Sequence, residues 1–178
     1  TGSTSIFIPY QGGEITKTVL FSVDMTEWLD EEGSTGLNVF SVSRGDQMQV
    51  RGGFNAWSCE DPSNCIMTRT PGTNIFTLAT NITGFPFTDI EYKYYLDLSP
   101  TSVEYLENIY GELYDGIGWE DSPRFGGANR TFLLGLEDET NVMELGLEGY
   151  YDLPEGGVIP LNQEITLTFS VDMSDAVN

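Results

Sequence analysis

One strand-like segment occurs twice in this chain of 178 residues. Residues 18–25 read TVLFSVDM, and residues 166–173 read TLTFSVDM. In the first copy apolar and other side chains alternate, which predicts a half-buried β-strand. A segment repeated at module spacing indicates an array of similar units. We therefore expect an entry linker at 1–15, one module at 16–148, and at 149–178 a linker with the first strand of a following repeat, or a strand donated to a neighbour.

Further short strands separated by turn residues fill the module. Little helix is expected, because residues 98–118 break the alternation and are interpreted as a long excursion loop, in which 103–110 could form a short helix. Many short strands with turn signals between them predict an all-β antiparallel sandwich. The strand candidates after the first are Leu37–Ser43, Gln47–Arg51, Ile66–Arg69, Asn74–Asn81, Ile90–Asp97, Arg130–Leu136 and Val142–Leu147.

The charge of the chain restricts its partners. Seven Lys and Arg residues oppose 28 Asp and Glu residues, for a formal net charge of -21. Such a surface repels phosphate, so we expect neither nucleic acid nor anionic lipid as a partner. No apolar run approaches the roughly 18 residues of a membrane-spanning helix, so no membrane insertion is expected. The chain contains no His, which excludes Ser-His and Cys-His nucleophile systems.

Clustered acidic loops make calcium a possible cofactor, although none is required. Carboxylate oxygens are the ligands that Ca²⁺ prefers. The candidate ligands are Asp24 and Asp30 in one loop region and Asp115 and Asp121 in another. None of these loops has the spacing of an EF-hand, and a solvated acidic surface is the alternative interpretation for each.

Cys59 and Cys65 are the only two cysteines and flank a short, turn-rich loop. Two cysteines are too few for the usual closed zinc site, and an even count leaves no unpaired thiol. We therefore predict a Cys59–Cys65 disulfide and an extracellular or cell-surface location. The bond would hold the segment directly after Trp57.

Three short motifs follow one another along the chain. They are Gly53-Phe54-Asn55-Ala56-Trp57, then Ile90-Glu91-Tyr92-Lys93-Tyr94, then Gly118-Trp119-Glu120 followed by Asn129-Arg130-Thr131-Phe132. In this order they resemble the starch-binding carbohydrate-binding modules of family 20 and the glycogen-binding modules of family 48. The repeated strand is also similar to the first strand of starch-binding-like modules in bacterial surface proteins. Two insertions depart from the family pattern, at 98–118 and at 121–128.

The resemblance implies an immunoglobulin-like sandwich with a non-catalytic α-glucan site. Trp57 and Trp119 would form its aromatic walls, Lys93 and Asn129 would hydrogen-bond sugar hydroxyls, and Glu120 would lie beside the site. The alternation of strand 90–97 adds that Lys93 faces away from Tyr92 and Tyr94, towards solvent. A Trp57 that plugs the end of the sandwich and a Trp119 in the core or an interface remain alternatives.

Two functions follow. The first is an extracellular glycan-binding module that binds a polysaccharide or oligosaccharide and is one unit of a tandem or polymeric array. The second is a structural subunit of a surface filament, tube or layer, assembled with copies of itself through the repeated strand and stabilised by calcium. A glycosidase is not expected, because no acid pair stands out among so many carboxylates.

Overall fold

The computed structural model describes residues 12–30, 39–111, 118–120, 129–135 and 140–150. These residues form two β-sheets and one α-helix, α1 (Pro100–Tyr110), with three short 3-10 turns at Val42–Arg44, Gly53–Asn55 and Pro62–Asn64. The strands are β1 (Ile15–Asp24), β2 (Gln47–Gly52), β3 (Thr68–Arg69), β4 (Ile75–Gly84), β5 (Asp89–Asp97), β6 (Arg130–Leu133) and β7 (Val142–Gly149).

The two sheets pack as a sandwich, which confirms the predicted all-β fold. One sheet has the order β3-β4-β1-β7 and the other has the order β2-β5-β6. Four strands facing three is the arrangement of immunoglobulin-like domains. All pairs are antiparallel except β1 with β7, which run parallel. Residues 151–178 lie outside the described residues, so the second copy of the repeated strand is not located.

Strand β1 is the centre of the core. Val19, Phe21 and Val23 are fully buried, and Met25 directly after the strand is buried as well. Phe21 contacts aromatic rings from the opposite sheet, including Tyr92 at a centroid distance of 5.1 Å. The alternation that predicted this strand therefore describes the side chains that join the two sheets. The strand itself begins at Ile15.

Two segments differ from the expected secondary structure. Within 39–43, only Phe40 forms an isolated bridge, because the backbone N–H of Ser41 donates to the side chain of Asp46 instead of to a neighbouring strand. The segment 98–118 contains the helix α1 where a loop was expected. Ser99 caps the helix by accepting a hydrogen bond from the N–H of Ser102, and Pro100 occupies its first turn.

A bulge in β7 changes which side chains face the core. Leu20 pairs with Glu144 and Ser22 pairs with Leu147, so one extra residue lies on β7 between these pairs. Gly146 has a φ of 87°, a left-handed conformation that glycine adopts without strain. After the bulge the alternation is reversed. Leu147 is therefore 57% exposed, while Glu148 is directed towards the other sheet.

Glu148 joins the sheets through a polar network. Its carboxylate accepts hydrogen bonds from the hydroxyls of Tyr92 and Tyr94, and an ion pair of 2.8 Å from Arg130. Burial, together with the Glu148 charge, raises the pKa of both tyrosines above their ordinary value. Desolvation disfavours the charged form of Arg130, but Glu120 and Glu148 outweigh it and raise the pKa of the guanidinium. With these raised pKa values, the guanidinium of Arg130 stays charged and both tyrosine hydroxyls stay neutral at physiological pH.

Among the described residues, no helix is both long enough and apolar enough to cross a membrane.

Candidate functional site

The loop after β2 is held by its own side chains. Gly52 packs so tightly that a Cβ there would lie 2.4 Å from the backbone oxygen of Glu91. The Asn55 amide accepts from the Gly52 N–H and donates to the carbonyl oxygens of Val50 and Asn64. The ring of Phe54 stacks on Phe21 in the core, which anchors the loop from below. These contacts fix the direction in which the chain leaves the sheet.

Trp57 ends this loop in a left-handed conformation. Ala56 and Trp57 have φ values of 53° and 57°, which cost non-glycine residues on the order of 1–3 kcal/mol each. The N–H of Trp57 donates to the carbonyl oxygen of Gly52 at 2.9 Å, so the strained turn is closed by a hydrogen bond. The predicted disulfide between Cys59 and Cys65 is confirmed, with Cα atoms 5.5 Å apart. It closes the chain segment that directly follows Trp57.

Trp119 is placed by strand-like pairing with β5. The N–H of Leu96 donates to the carbonyl oxygen of Gly118, and the N–H of Glu120 donates to that of Tyr94. A side chain at position 118 would meet the Leu96 carbonyl oxygen at 2.3 Å, and Gly118 also has a φ of 104°. Because β2 occupies the other edge of β5 along 92–97, residues 118–120 lie on the same edge as β6.

The two indoles lie side by side. Their ring centroids are 6.2 Å apart with an interplanar angle of 54°, and both residues are partly exposed. Tyr95 supports Trp119 from the strand, with centroids 4.7 Å apart. We call Trp57, Tyr95 and Trp119 the aromatic face, which lies on the side of the three-stranded sheet opposite the core. Neither indole is buried in the sandwich, so Trp57 does not plug its end and Trp119 is not a core residue.

The predicted polar partners are only partly brought to the aromatic face. Lys93 is 7% exposed, so the expectation that it faces solvent is wrong, although it points to the outer side of the sheet. Asn129 is exposed and donates to the carboxylate of Glu91 at 3.0 Å. It lies near the same outer side, at the Glu91 end of β5.

Glu120 is directed into the protein. It is 1% exposed, and its carboxylate accepts from the N–H of Tyr94 and from Arg130, each at 2.8 Å. The reason is strand alternation: Trp119 faces outward, so its neighbour Glu120 faces inward. A carboxylate enclosed in this way does not reach a ligand on the outer side. Glu120 is beside the site in the chain and positions Trp119 from behind.

The calcium candidates are not brought together where the structure describes them. Asp24 accepts hydrogen bonds from the backbone N–H and the hydroxyl of Thr26. Asp30 forms an ion pair with Arg44. Asp115 and Asp121 lie outside the described residues. Within the described part of the chain, no group of three or more His, Cys, Asp or Glu side chains could hold a metal ion.

Sequence reasoning missed two members of the site, Tyr95 and Arg51. The guanidinium of Arg51 lies 3.7 Å from the ring centroid of Tyr95 and 5.4 Å from that of Trp119. Both residues share the phase of Lys93: Tyr95 is two residues along the same strand, and Arg51 pairs with Lys93 across the strands. The alternation of these strands could have identified both residues, because the side chains that point away from Tyr92 and Tyr94 form the outer side of the sheet.

Comparison with known proteins assigns no family. No family model matches the chain, and no curated protein matches it. Among solved structures it is similar to a glycoside hydrolase family 15 glucoamylase from Hypocrea jecorina, with a TM-score of 0.42 and 14% identity over 82% of this chain and 19% of that chain. It is also similar to a gamma-CGTase from Alkalophilic bacillus clarkii, with a TM-score of 0.38 and 14% identity over 76% of this chain and 15% of that chain.

This chain therefore spans less than a fifth of either enzyme's length. At these TM-scores and identities, the similarities assign neither a family nor a function to it.

Proposed function

We propose that the chain is an extracellular, non-catalytic module that binds a glycan of the α-glucan type on its aromatic face. The observation that carries the proposal is the pair of partly exposed indoles, Trp57 and Trp119, whose centroids are 6.2 Å apart. Sugar rings present apolar C–H faces, which pack on aromatic rings, and a few polar groups then fix their orientation. The strain at Trp57 supports the proposal, because strained conformations are concentrated at functional sites.

The tilt of the rings favours a curved ligand. An interplanar angle of 54° makes the pair a corner and not a flat platform. Successive sugars of an α-1,4-linked glucan turn relative to one another, so two neighbouring rings can each meet one indole. A flat β-1,4-linked chain would contact one indole and leave the other. Binding without catalysis is supported by the engagement of Glu120 and Glu148 with Arg130, which leaves these two carboxylates in structural roles.

Isothermal titration calorimetry with maltoheptaose and with cellohexaose tests this function. We expect binding of maltoheptaose and weaker or no binding of cellohexaose. Trp57→Ala and Trp119→Ala should each weaken binding about tenfold or more, as truncation of a central aromatic contact does. Phe85→Ala is the matched control, because Phe85 is a 53% exposed aromatic residue in the turn between β4 and β5. Absence of maltoheptaose binding, or equal loss of affinity in all three variants, would refute the proposal.

An extracellular location is supported by the disulfide, because disulfides persist in oxidising compartments. Mass spectrometry of the protein isolated from its source under alkylating conditions measures the oxidised fraction directly. A largely reduced cysteine pair would contradict this location.

A second function, a structural subunit of a surface filament, tube or layer, is favoured by one observation on β1. Every second residue of this strand is buried, and the second copy of the segment is apolar at the corresponding positions. Phe21, which is fully buried, corresponds to Phe169. A strand with such a face is stable only when it completes a sandwich, and the position of β1 in this sandwich is already filled. The second copy would therefore join a neighbouring unit.

The subunit function is tested by placing a charge on each side of the second copy. Phe169→Glu changes the apolar side, and Thr168→Glu changes the other side, which corresponds to the outward-facing Leu20. We expect assembly, measured by light scattering and electron microscopy, to be lost only in Phe169→Glu. The role of calcium is measured by adding a chelator to the assembled wild-type protein. Equal assembly of both variants would refute the subunit function.

A further inference from the structure

The side chain of Arg51 is held in one orientation. The Cζ atom of its guanidinium lies over Tyr95, 3.7 Å from the ring centroid, and 5.4 Å from the centroid of Trp119. Its Nε donates to the side-chain oxygen of Gln49 at 2.9 Å, and the Gln49 amide donates in turn to Asp97 at 2.9 Å. Gln49, the middle member of this chain of hydrogen bonds, is 2% exposed. The guanidinium is therefore held by contact with the Tyr95 ring and by the hydrogen bond at its Nε.

The two terminal nitrogens of Arg51 have no such partners in the part of the chain that the structure describes. Among the described residues, neither Nη atom donates a hydrogen bond and no carboxylate forms an ion pair with Arg51. Arg44 and Arg130, by contrast, each contact two carboxylates. A chain with 28 acidic residues offers many partners for an arginine, yet this one presents its donors beside the aromatic face.

Basic residues are also concentrated at this place. Arg51 lies directly opposite Lys93 in the pairing of β2 with β5, so two of the seven basic residues are cross-strand neighbours. A planar guanidinium whose two terminal nitrogens bond to no described residue matches a carboxylate or phosphate bidentately.

We propose that Arg51 binds an anionic substituent of the glycan, a carboxylate or a phosphate ester, on the sugar that stacks against Trp119. This rests on the proposed glycan function and names its ligand class: acidic or phosphorylated glycans are preferred over neutral ones. The aromatic face supplies the stacking surface and Arg51 supplies the charge-specific contact. The net charge of -21 repels highly charged anions. The preference for acidic glycans therefore applies to short ligands with few charges, and long polyanions should bind more weakly.

The test compares three oligosaccharides with the same backbone: maltoheptaose, maltoheptaose with one primary alcohol oxidised to a carboxylate, and maltoheptaose carrying one 6-phosphate. The measured quantity is the ratio of the dissociation constant of the neutral ligand to that of each anionic ligand. For the wild type at low salt we expect about tenfold for the anion that the site prefers, the value of one charge-assisted hydrogen-bond pair. The ratio should decrease as salt is added, because the contact is partly exposed to solvent.

Three variants locate the effect. Arg51→Gln should reduce the ratio to about one, and Arg51→Lys, which keeps the charge but loses the planar fork, should give an intermediate ratio. Arg69→Gln removes one positive charge elsewhere and should leave the ratio unchanged. Circular dichroism shows whether each variant is folded.

The outcomes separate the two proposals. A ratio near one in the wild type, with maltoheptaose bound, would overturn the role of Arg51 and leave the glycan function standing. If Arg69→Gln reduced the ratio as much as Arg51→Gln, the role of Arg51 would likewise be overturned and the glycan function would stand. Failure of all three oligosaccharides to bind would overturn both proposals. The anionic oligosaccharide that gives the larger ratio identifies whether the site prefers a carboxylate or a phosphate.

Discussion

Replacing Glu148 by Gln tests whether the network between the sheets stabilises the fold. The carboxylate accepts hydrogen bonds from two tyrosine hydroxyls, at 2.6 and 2.8 Å, and from Arg130 at 2.8 Å. Hydrogen bonds to a charged group contribute about 1.5–3 kcal/mol each, and neutral ones contribute about half as much. The amide also places an N–H group against these donors. We therefore expect the substitution to lower the free energy of unfolding by about 3 kcal/mol.

The assay is equilibrium unfolding in urea at neutral pH, with thermal unfolding as a second measurement. A loss of about 3 kcal/mol corresponds to a decrease of roughly 6–12 °C in melting temperature for a domain of this size. Glu144→Gln is the control, because Glu144 is an exposed residue of the same strand and its substitution makes the same change in net charge. If the two variants differ by less than roughly 0.5 kcal/mol, a typical surface effect, the network does not stabilise the fold as argued.

Three further predictions concern the loop that carries Trp57 and the core tyrosines. Gly52→Ala should lower the free energy of unfolding by about 3 kcal/mol or more, since its Cβ would lie 2.4 Å from a backbone oxygen. Gly53→Ala, with open space around it, should change stability little. Equal urea midpoints for the two variants would contradict this. Replacing Cys59 and Cys65 by Ala should cost about 2 kcal/mol by the loop-entropy relation, measured by urea unfolding, and an unchanged midpoint would show that the disulfide is dispensable. Burial and the neighbouring carboxylate raise the pKa of Tyr94. The Tyr94 hydroxyl therefore stays neutral in the folded protein, whereas it ionises near pH 10 in the unfolded chain. Stability is therefore fully present below about pH 10 and falls above it, and a urea midpoint that is constant up to pH 11.5 would refute the burial of this hydroxyl.

Much of the sandwich follows from alternation in the sequence. Val19, Phe21 and Val23 are buried because they share one side of a strand, and that side is visible as a period of two residues. The same rule correctly placed Tyr92 and Tyr94 in the core. Alternation failed where a side chain replaced a neighbouring strand as the backbone's partner, as Asp46 does at Ser41, because a side-chain hydrogen bond of this kind leaves no periodic signal.

The site was predictable in part, for a related reason. Trp57 and Trp119 were identified from short motifs, and the structure brings them together even though they are distant in the chain. The inward direction of Glu120 follows from its position next to Trp119, but only once residues 118–120 are known to pair with β5. The burial of Lys93 and the position of Arg51 over Tyr95 depend on tertiary packing, and strand phase alone does not determine this.

The phase change in β7 was not predictable. A continuous alternation through Met143 and Leu145 would bury Leu147 and expose Glu148, which agrees with ordinary hydrophobicity. The bulge at Gly146 produces the opposite arrangement. This arrangement is stabilised by the hydrogen bonds that Glu148 accepts from tyrosine hydroxyls of the other sheet. A single sequence contains the glycine but not the tyrosine hydroxyls that make its position favourable.

The pairing of residues 118–120 with β5 has a consequence for how the binding surface tolerates change. Both this short segment and β6 are attached to the same edge of β5, so each is held where it is by its own hydrogen bonds. The length of the segment that connects residues 118–120 to β6 therefore does not determine where either of them lies. Relatives of this domain could lengthen or shorten that connection, and thereby vary what surrounds a ligand, while the indole of Trp119 keeps its place.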